Sequence, residues 1–369
     1  MFLEQLKVTN FKNHSSANLW FSSRLNCFTG DNGAGKTNIL DAIYYLSFTK
    51  SFFNSMDMQN IKHGEEFFAL HGTYYRNNPV PETLHCIQKR NAPNRFAYNK
   101  TDYERLADHI GLFPLVMVSP YDRDLINEGS ETRRKYIDGV ISQFDRTYLD
   151  QLLNYNKALQ HRNAALKQFA ETNRYDATTI LIYDEQLVSL GIEILARRTT
   201  FLQQFMPLFQ DYFTFISGGK EAVNIAYETK LTPENYADEL RASIDRDRAS
   251  RYTNVGIHKD DLYFTIGGFP VKKYGSQGQQ KSFVVAIKLA QFEYTRQIKG
   301  FKPILLLDDI FDKLDHSRVS KIVELTAGES FGQVFITDTQ PERITSVFNT
   351  IFPEHRMFAV QDGEIQSTE

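Results

Sequence analysis

Cysteine is nearly absent: this chain of 369 residues has two, Cys27 and Cys86. They show no metal-ligand spacing, and Cys27 sits in an apolar run where a small core residue is expected, so neither a disulfide framework nor a thiolate metal centre is indicated. Long apolar runs are missing too. No stretch is long enough to cross a bilayer, and the N-terminus lacks a signal-peptide pattern. Nor does one sign of charge dominate. The 42 Lys and Arg against 45 Asp and Glu leave a net charge of −3. That argues against a whole-protein electrostatic grip on nucleic acid, so any such contact must be a local patch. There is no low-complexity segment and no internal repeat. The expectation is a reduced, cytoplasmic protein without a membrane partner.

What is present is Phe28-Thr29-Gly30-Asp31-Asn32-Gly33-Ala34-Gly35-Lys36-Thr37-Asn38, a full match to G-x-x-x-x-G-K-[ST]. The run Leu25 to Thr29 before it reads as a short buried strand. Ile39 to Leu46 after it is apolar at helical spacing. The loop therefore lies between a strand and a helix N-terminus, where backbone N–H groups and the helix dipole favour a polyphosphate. Gly30, Gly33 and Gly35 allow the tight turn, Lys36 is placed to reach the β- and γ-phosphates, and Thr37 to ligate Mg²⁺. Nucleotide contacts are expected from Gly30, Asp31, Asn32, Gly33, Ala34, Gly35, Lys36, Thr37 and Asn38.

The rest of the chain falls into three parts. Residues 1–120 read as strands around the phosphate loop, with an exposed basic-aromatic loop at Lys50-Ser51-Phe52-Phe53-Asn54 and a buried strand at 115–118. From Glu131 to about Phe169, and again from about Thr178 to Phe205, apolar residues step by three and four, and Thr232-Pro233-Glu234 opens a further helix. Residues 121–250 are thus a helical insertion, without the sustained heptads of a long coiled coil. In 251–369 strands return: Leu262 to Ile266 turns at Gly267-Gly268, a helix spans Ser282 to Thr295, and a last hairpin surrounds Asp362-Gly363. The fold class is α/β, a mixed sheet with helices and an inserted helical subdomain.

Two motifs in the last part complete a nucleotide site. Ile304 to Leu307 is an apolar strand ending in Asp308 and Asp309. Asp308 is expected beside Mg²⁺, and Asp309 is expected to orient or deprotonate the attacking water. Ser276-Gln277-Gly278-Gln279-Gln280 just precedes the expected helix and offers a hydroxyl and backbone N–H groups, a second anion site. Lys36 and Ser276 stand 240 positions apart (276 minus 36). Two anion sites so far apart suggest a homodimer with the nucleotide sandwiched between Lys36 of one copy and Ser276, Gly278 and Gln279 of the other.

Taken together, phosphate loop, Ser-Gln-Gly-Gln and apolar-Asp-Asp resemble an ABC-type ATPase head, with Asp312-Lys313-Leu314-Asp315 similar to its D-loop. Further stretches narrow the resemblance to the RecF family, related to SMC proteins. They are Leu6-Lys7-Val8-Thr9-Asn10-Phe11-Lys12-Asn13, Lys50-Ser51-Phe52, and Arg133-Arg134-Lys135-Tyr136-Ile137-Asp138. Tyr155-Asn156-Lys157-Ala158-Leu159-Gln160-His161-Arg162-Asn163 and Gly256-Ile257-His258-Lys259-Asp260-Asp261-Leu262 complete the set. The resemblance spans the chain. It implies an ABC-type head with a helical lid, ATP-dependent dimerisation on single- or double-stranded DNA near gaps, and slow hydrolysis using Lys36, Ser276 and Asp309. It adds Lys12 and Asn13 to the nucleotide site, with ATP and Mg²⁺ as cofactors, and RecR, more loosely RecO, as partners in RecA loading.

The chain departs from ABC-type heads at three places. Asp309 stands where Glu is usual, Thr337-Asp338-Thr339 where a switch histidine is usual, and Ser119-Pro120-Tyr121-Asp122 where a glutamine marks the lid boundary. These suit a slow switch better than a motor. For DNA, the candidates are Lys50, Arg133, Arg134, Lys135, His161, Arg162, Arg197 and Arg198. Two other readings compete: a transporter's nucleotide-binding subunit, disfavoured by the 240-position spacing, and an ATP-gated scaffold that does not hydrolyse.

Overall fold

The computed structural model describes residues 1–76, 79–219, 221–310, 316–339 and 355–368. Its chain divides into two compact units: 1–122 with 212–219 and 277–369, and 123–211 with 220–276.

The first unit holds two sheets. Strands β1 (Phe2–Phe11), β2 (His14–Trp20) and β3 (Leu25–Thr29) lead into helix α1 (Lys36–Phe48). Strands β4 (Phe67–Tyr75), β5 (Glu82–Lys89), β6 (Arg95–Tyr98) and β7 (Thr101–Asp102) follow, and an antiparallel sheet runs in the order β2-β1-β4-β5-β6-β7. Its alternating pattern, such as Leu6 and Val8 buried with Lys7 and Thr9 exposed on β1, marks one face on the core and one in solvent. The core face carries Leu3, Leu6, Leu70 and Leu84 and packs in one cluster with Ile39, Ile43 and Leu46 of α1.

The second sheet of this unit includes β8 (Leu115–Val118), β12 (Ile304–Asp308), β13 (Val334–Asp338), β14 (His355–Gln361) and β15 (Glu364–Ser367), ordered β15-β14-β3-β13-β12-β8. All pairs but β14–β15 are parallel. Strands β3, β8, β12 and β13 are buried throughout, which is why they are rich in apolar residues. The parallel register puts the C-terminal end of β3, and with it the phosphate loop, beside the C-terminal ends of β13 and β12. Ligand sites in parallel sheets form at this edge.

The second unit contains α2 (Asp124–Asn127), α3 (Ser130–Ser142), α4 (Arg146–Thr172) and most of α5 (Ala177–Ser217). After them come β9 (Val223–Glu228), α6 (Tyr236–Ala242), α7 (Ile244–Ser250), β10 (Asp261–Ile266), β11 (Phe269–Pro270) and the single turn α8 (Val271–Tyr274). Helices α9 (Gln277–Lys299) and α10 (His316–Ala327) belong to the first unit.

Several expectations shift. The helical run from Glu131 breaks at 143–145, where Asp145 caps α4 by accepting from Tyr148 N–H at 2.9 Å. Thr232-Pro233-Glu234 forms a turn closed by Asn235, and the helix begins only at Tyr236. The boundary expected after residue 250 lies at 276, because β10 pairs along its length with β9 and so stays with the insertion. The insertion is therefore not all helix but includes the sheet β11-β10-β9. The loop after α1 is not exposed beyond Lys50: Asp41 accepts from Ser51 Oγ at 2.6 Å and Phe52 N–H at 2.7 Å, and Ser51 is buried.

Candidate nucleotide-binding site

Gly35 ends the phosphate loop at φ 117 and caps α1, so Lys36 is the first helical residue. Gly30, at φ 150, lies so close to β14 that a Cβ there would stand 2.2 Å from the Val360 carbonyl oxygen. Only glycine permits this approach. The loop is also held from the N-terminal side. Asn13 donates from Nδ2 to the Ala34 carbonyl at 2.9 Å and accepts from Asn38 Nδ2 at 2.7 Å. His14 is fully buried between two carbonyls, Gly35 O at 3.0 Å and Gly363 O at 2.7 Å. Gly363 N–H donates to Ala34 O at 2.9 Å. The terminal hairpin β14–β15 thus clamps the loop, a role nothing in the local sequence around His14 or Gly363 announces.

The Lys36 side chain is buried and donates to the carbonyls of Gly30 and Asp31 at 2.7 and 2.8 Å. Burial lowers its pKa, against the pull of Asp309 and Asp308. Thr37 Oγ1 donates to Asp308 Oδ1 at 2.8 Å. Thr337 Oγ1 donates to the same oxygen at 2.8 Å, and itself accepts from Asp309 N–H at 3.0 Å. Burial raises the Asp308 pKa in spite of the two hydroxyls. Asp309 adopts φ 49, the left-handed region, which turns the chain at the end of β12. Asn32, Gly33, Gly35, Lys36, Thr37, Asn38, Asp309 and Thr337 line one cleft. Thr337, at the place of the missing histidine, is thus part of the site.

Two expected nucleotide residues differ in setting. Asn13 braces the loop from behind. The Lys12 ammonium pairs with Asp41 at 2.6 Å and lies 4.9 Å from the Phe53 ring centre, so its charge is engaged away from the loop. Ser276 is exposed and closes the second unit, while Gln277, Gly278 and Gln279 form the first turn of α9 in the first unit. The helix begins five residues earlier than expected, so the motif is its N-terminus. At Gly278 a Cβ would stand 2.6 Å from Arg318 Nη1 of α10, so glycine admits the guanidinium. The sequence reading missed Arg318. Asp312-Lys313-Leu314-Asp315 lies outside the described residues. Ser119 N–H donates to Asp122 at 2.7 Å, and Asp122 pairs with Lys288 at 2.7 Å, a buried ion pair where the boundary glutamine is usual.

The cations proposed for DNA divide sharply. Arg162 is fully buried, paired with Asp184 at 2.6 Å and Asp247 at 2.7 Å. Arg198 is nearly as buried and pairs with Asp138 at 2.9 Å. Arg133 chelates Asp261 at 2.7 and 2.9 Å, and Arg134 donates to the Asp260 carbonyl at 2.6 Å. Arg197 pairs with Asp145. Arg162 and Arg198 belong to the buried polar interior of the second unit and are withdrawn as DNA contacts, while Arg133, Arg134 and Arg197 are half-buried. Lys50 and His161 are exposed, and exposed Lys135 pairs with Glu131.

Comparison with known proteins agrees with this geometry. Residues 2–364 match the model of the family described as RecF/RecN/SMC N terminal domain. The DNA replication and repair protein RecF of Flavobacterium johnsoniae is 49% identical over 358 residues, 97% of this chain and 99% of its own length. Its namesake in Phocaeicola vulgatus is 48% identical over 366 residues, 99% and 98% of the two chains. A solved structure described as the recombination mediator protein RecF with ATP in the RecFOR pathway aligns at a TM-score of 0.90 and 30% identity, covering 100% of this chain and 98% of that one. An Smc head bound to the C-winged helix domain of ScpA, at a TM-score of 0.59 and 15% identity, shares the fold. A phosphate loop joined to Asp308 in an ABC-type head, with matches along nearly the whole chain, means that this protein belongs to the RecF family of DNA replication and repair proteins.

Proposed function

We propose that this chain is an ATP-gated DNA-binding protein of recombinational repair and replication, hydrolysing ATP slowly as a switch. The observation that supports it most is the meeting of Thr37 and Asp308 through a 2.8 Å hydrogen bond at the mouth of the phosphate loop. The residues suit Mg²⁺: a hydroxyl and a buried carboxylate are hard oxygen donors, with room left for phosphate oxygens and water. Thr37 and Asp308 would hold the ion, which would supply positive charge to offset the negative charge that develops on the phosphates. Loop N–H groups bind the phosphates, and Lys36 turns from the Gly30 and Asp31 carbonyls to the β- and γ-oxygens. Asp309 orients a water and accepts its proton. An aspartate in that place and Thr337 in place of a histidine fit a slow rate.

Ser276, Gly278 and Gln279 complete the site of a second copy, so ATP joins two chains. The relatives are named as DNA replication and repair proteins, and a solved one is described as a mediator in the RecFOR pathway. By analogy, the closed dimer of this chain holds single- or double-stranded DNA near gaps and works in the cytoplasm with RecR, and more loosely RecO, in RecA loading.

The test is retention of a gapped duplex on the purified chain with and without ATP, beside Lys36→Met. Retention should require ATP and disappear in the variant. ATP-dependent retention unchanged in Lys36→Met would overturn the phosphate-loop assignment.

A further inference from the structure

Some cations of the second unit are spent on internal carboxylates and others are not. Arg133, Arg162, Arg197, Arg198, Arg241 and Arg248 each face a carboxylate. Arg246, Arg251 and Lys259 have none within 4 Å among the described residues. All three are exposed, within 14 residues of one another (246 to 259), on α7 and the loop that follows it.

A buried scaffold holds this loop. Asp247, fully buried, accepts from Asn254 N–H and Nδ2 at 2.9 Å each, from Ser243 Oγ at 3.1 Å and from Arg162 Nη1 at 2.7 Å. Asn163 accepts from Thr253 N–H at 2.8 Å and Oγ1 at 2.7 Å. His258 bridges Tyr155 OH at 2.9 Å and the Thr253 carbonyl at 3.1 Å. Arg251 is fixed at φ 58 as the C-cap of α7, with its N–H bonded to the Asp247 carbonyl. Lys259 ends a turn closed on the Gly256 carbonyl at 2.9 Å, and its ammonium lies 4.9 Å from the ring centre of Tyr252, itself 45% exposed. Motif residues that look like DNA contacts in the sequence build this support, and their neighbours project from it.

Like charges held in this way repel. Burial lowers the Lys259 pKa, and the charges of Arg134 and Arg246 lower it further, against the pull of Asp247. The nearby acids are already engaged: Asp247 by Arg162, Asp245 by Arg248, and Asp260 by Tyr227 at 2.6 Å. A group of cations on a hydrogen-bonded loop, with no carboxylate within 4 Å of them among the described residues, is organised for an anion outside the chain. The spread along a helix and loop suits an extended polyanion rather than a small ion, and an exposed aromatic beneath an ammonium is the mixture found where proteins meet nucleic acid.

We propose that Arg246, Arg251 and Lys259, with Tyr252, form a contact surface for the phosphodiester backbone of DNA. The assignment rests on the reading of the chain as a DNA-binding protein and names where that contact is made. No base-reading group accompanies the cations, so the contact positions DNA without selecting sequence.

The experiment measures binding of a fluorescent duplex with ATP and Mg²⁺ over a series of salt concentrations. The unmodified chain is compared with Arg246→Gln/Arg251→Asn/Lys259→Gln, where asparagine keeps the left-handed cap. A control, Lys7→Gln/Lys89→Gln/Lys100→Gln, removes the same charge from the first unit. The triple variant of the surface should keep its melting temperature and ATP binding. Its plot of log K against log salt should be shallower by about 2.7 per copy of the surface touching the duplex, and affinity near physiological salt should fall about tenfold or more. An unchanged slope, or an equal loss in the control, overturns the surface while leaving the DNA-binding reading intact. No DNA binding by the unmodified chain in any nucleotide state overturns both. Polyglutamate bound as tightly as DNA, with that binding lost in the triple variant of the surface, overturns the nucleic-acid assignment in favour of an acidic protein partner.

Discussion

Thr37 and Asp308 are 271 positions apart, yet the hydroxyl of one donates to the carboxylate of the other at 2.8 Å. The contact follows from the parallel register of β3, β13 and β12, which brings the end of β12 to the phosphate loop. Asp309 follows directly but lines the cleft from a left-handed backbone position. The proposed division of tasks between these adjacent acids is testable. Asp308→Asn removes charge from the metal position and should weaken Mg²⁺-ATP binding roughly tenfold or more, in line with affinity set by ligand charge. Asp309→Asn should bind ATP normally while kcat falls by roughly 10²–10⁴, the usual share of a general base. Nucleotide titration and single-turnover hydrolysis separate the two; equal loss of binding in both variants would show that the roles are not divided.

If Ser276 completes the partner's site, Ser276→Arg should bind ATP yet fail to dimerise with itself. Mixing it with Lys36→Met chains joins one site carrying both lesions to one carrying neither. ATPase activity should reappear, up to about half per dimer if the sites act independently and less if they are coupled. Rate against mixing ratio, with dimer fraction from light scattering, reads this out. Normal hydrolysis by Ser276→Arg alone would exclude use of the motif across a dimer.

Buried His109 and half-buried His258 should make the fold acid-sensitive. His109 donates from Nε2 to the Leu46 carbonyl at 2.7 Å, and its Nδ1 hydrogen-bonds the Tyr103 hydroxyl at 3.0 Å. His258 is held in the same way between Thr253 O and Tyr155 OH. Burial brings each down from 6.5 to about 4. The folded pKa lies below the unfolded one, so the unfolded chain takes up protons first on acidification. The contribution is complete above pH 6.5 and is lost as pH falls toward 4, up to about 3 kcal/mol for each ring. Urea midpoints between pH 7.5 and 5 should fall accordingly. His109→Gln keeps a donor and an acceptor without a titrating group, and should remove about 1.4 kcal/mol per pH unit from the slope. An unaltered slope would mean that His109 is not the titrating group.

Arg198→Met leaves Asp138 beside the apolar interior without its partner, and should destabilise the protein by about 3 kcal/mol or more. At temperatures where the variant is folded, its DNA salt slope should match the unmodified chain. A lower slope would return Arg198 to the DNA surface.

How much of this was legible in the sequence depended on the distance over which each feature is decided. The phosphate loop is written in consecutive residues, because glycines at positive φ and a helix that starts at Lys36 are local requirements. Buried parallel strands were visible because both faces need apolar side chains. The start of α9 was missed because Gln277, Gly278 and Gln279 carry no apolar period, although they are helical. The cations were misjudged for a related reason. Arginine has the same letter on a DNA surface and in a buried ion pair, and the partners of Arg162 stand 22 and 85 positions away. His14 gave no sign at all, since both of its partners are backbone carbonyls.

By itself the sequence determined the chemistry available: a phosphate-loop motif between strand and helix, paired acids at a strand end, a Ser-Gln-Gly-Gln run at a helix start, and the family that combines them. These depend on contiguous residues, whose conformations are limited by sterics and by local hydrogen bonding. Tertiary structure alone decided that Asp308 meets Thr37, that His14 and Gly363 clamp the loop, and which arginines are spent on internal carboxylates. Pairing across hundreds of positions is set by sheet register and burial, and the cations left without a partner become known only after those contacts are made.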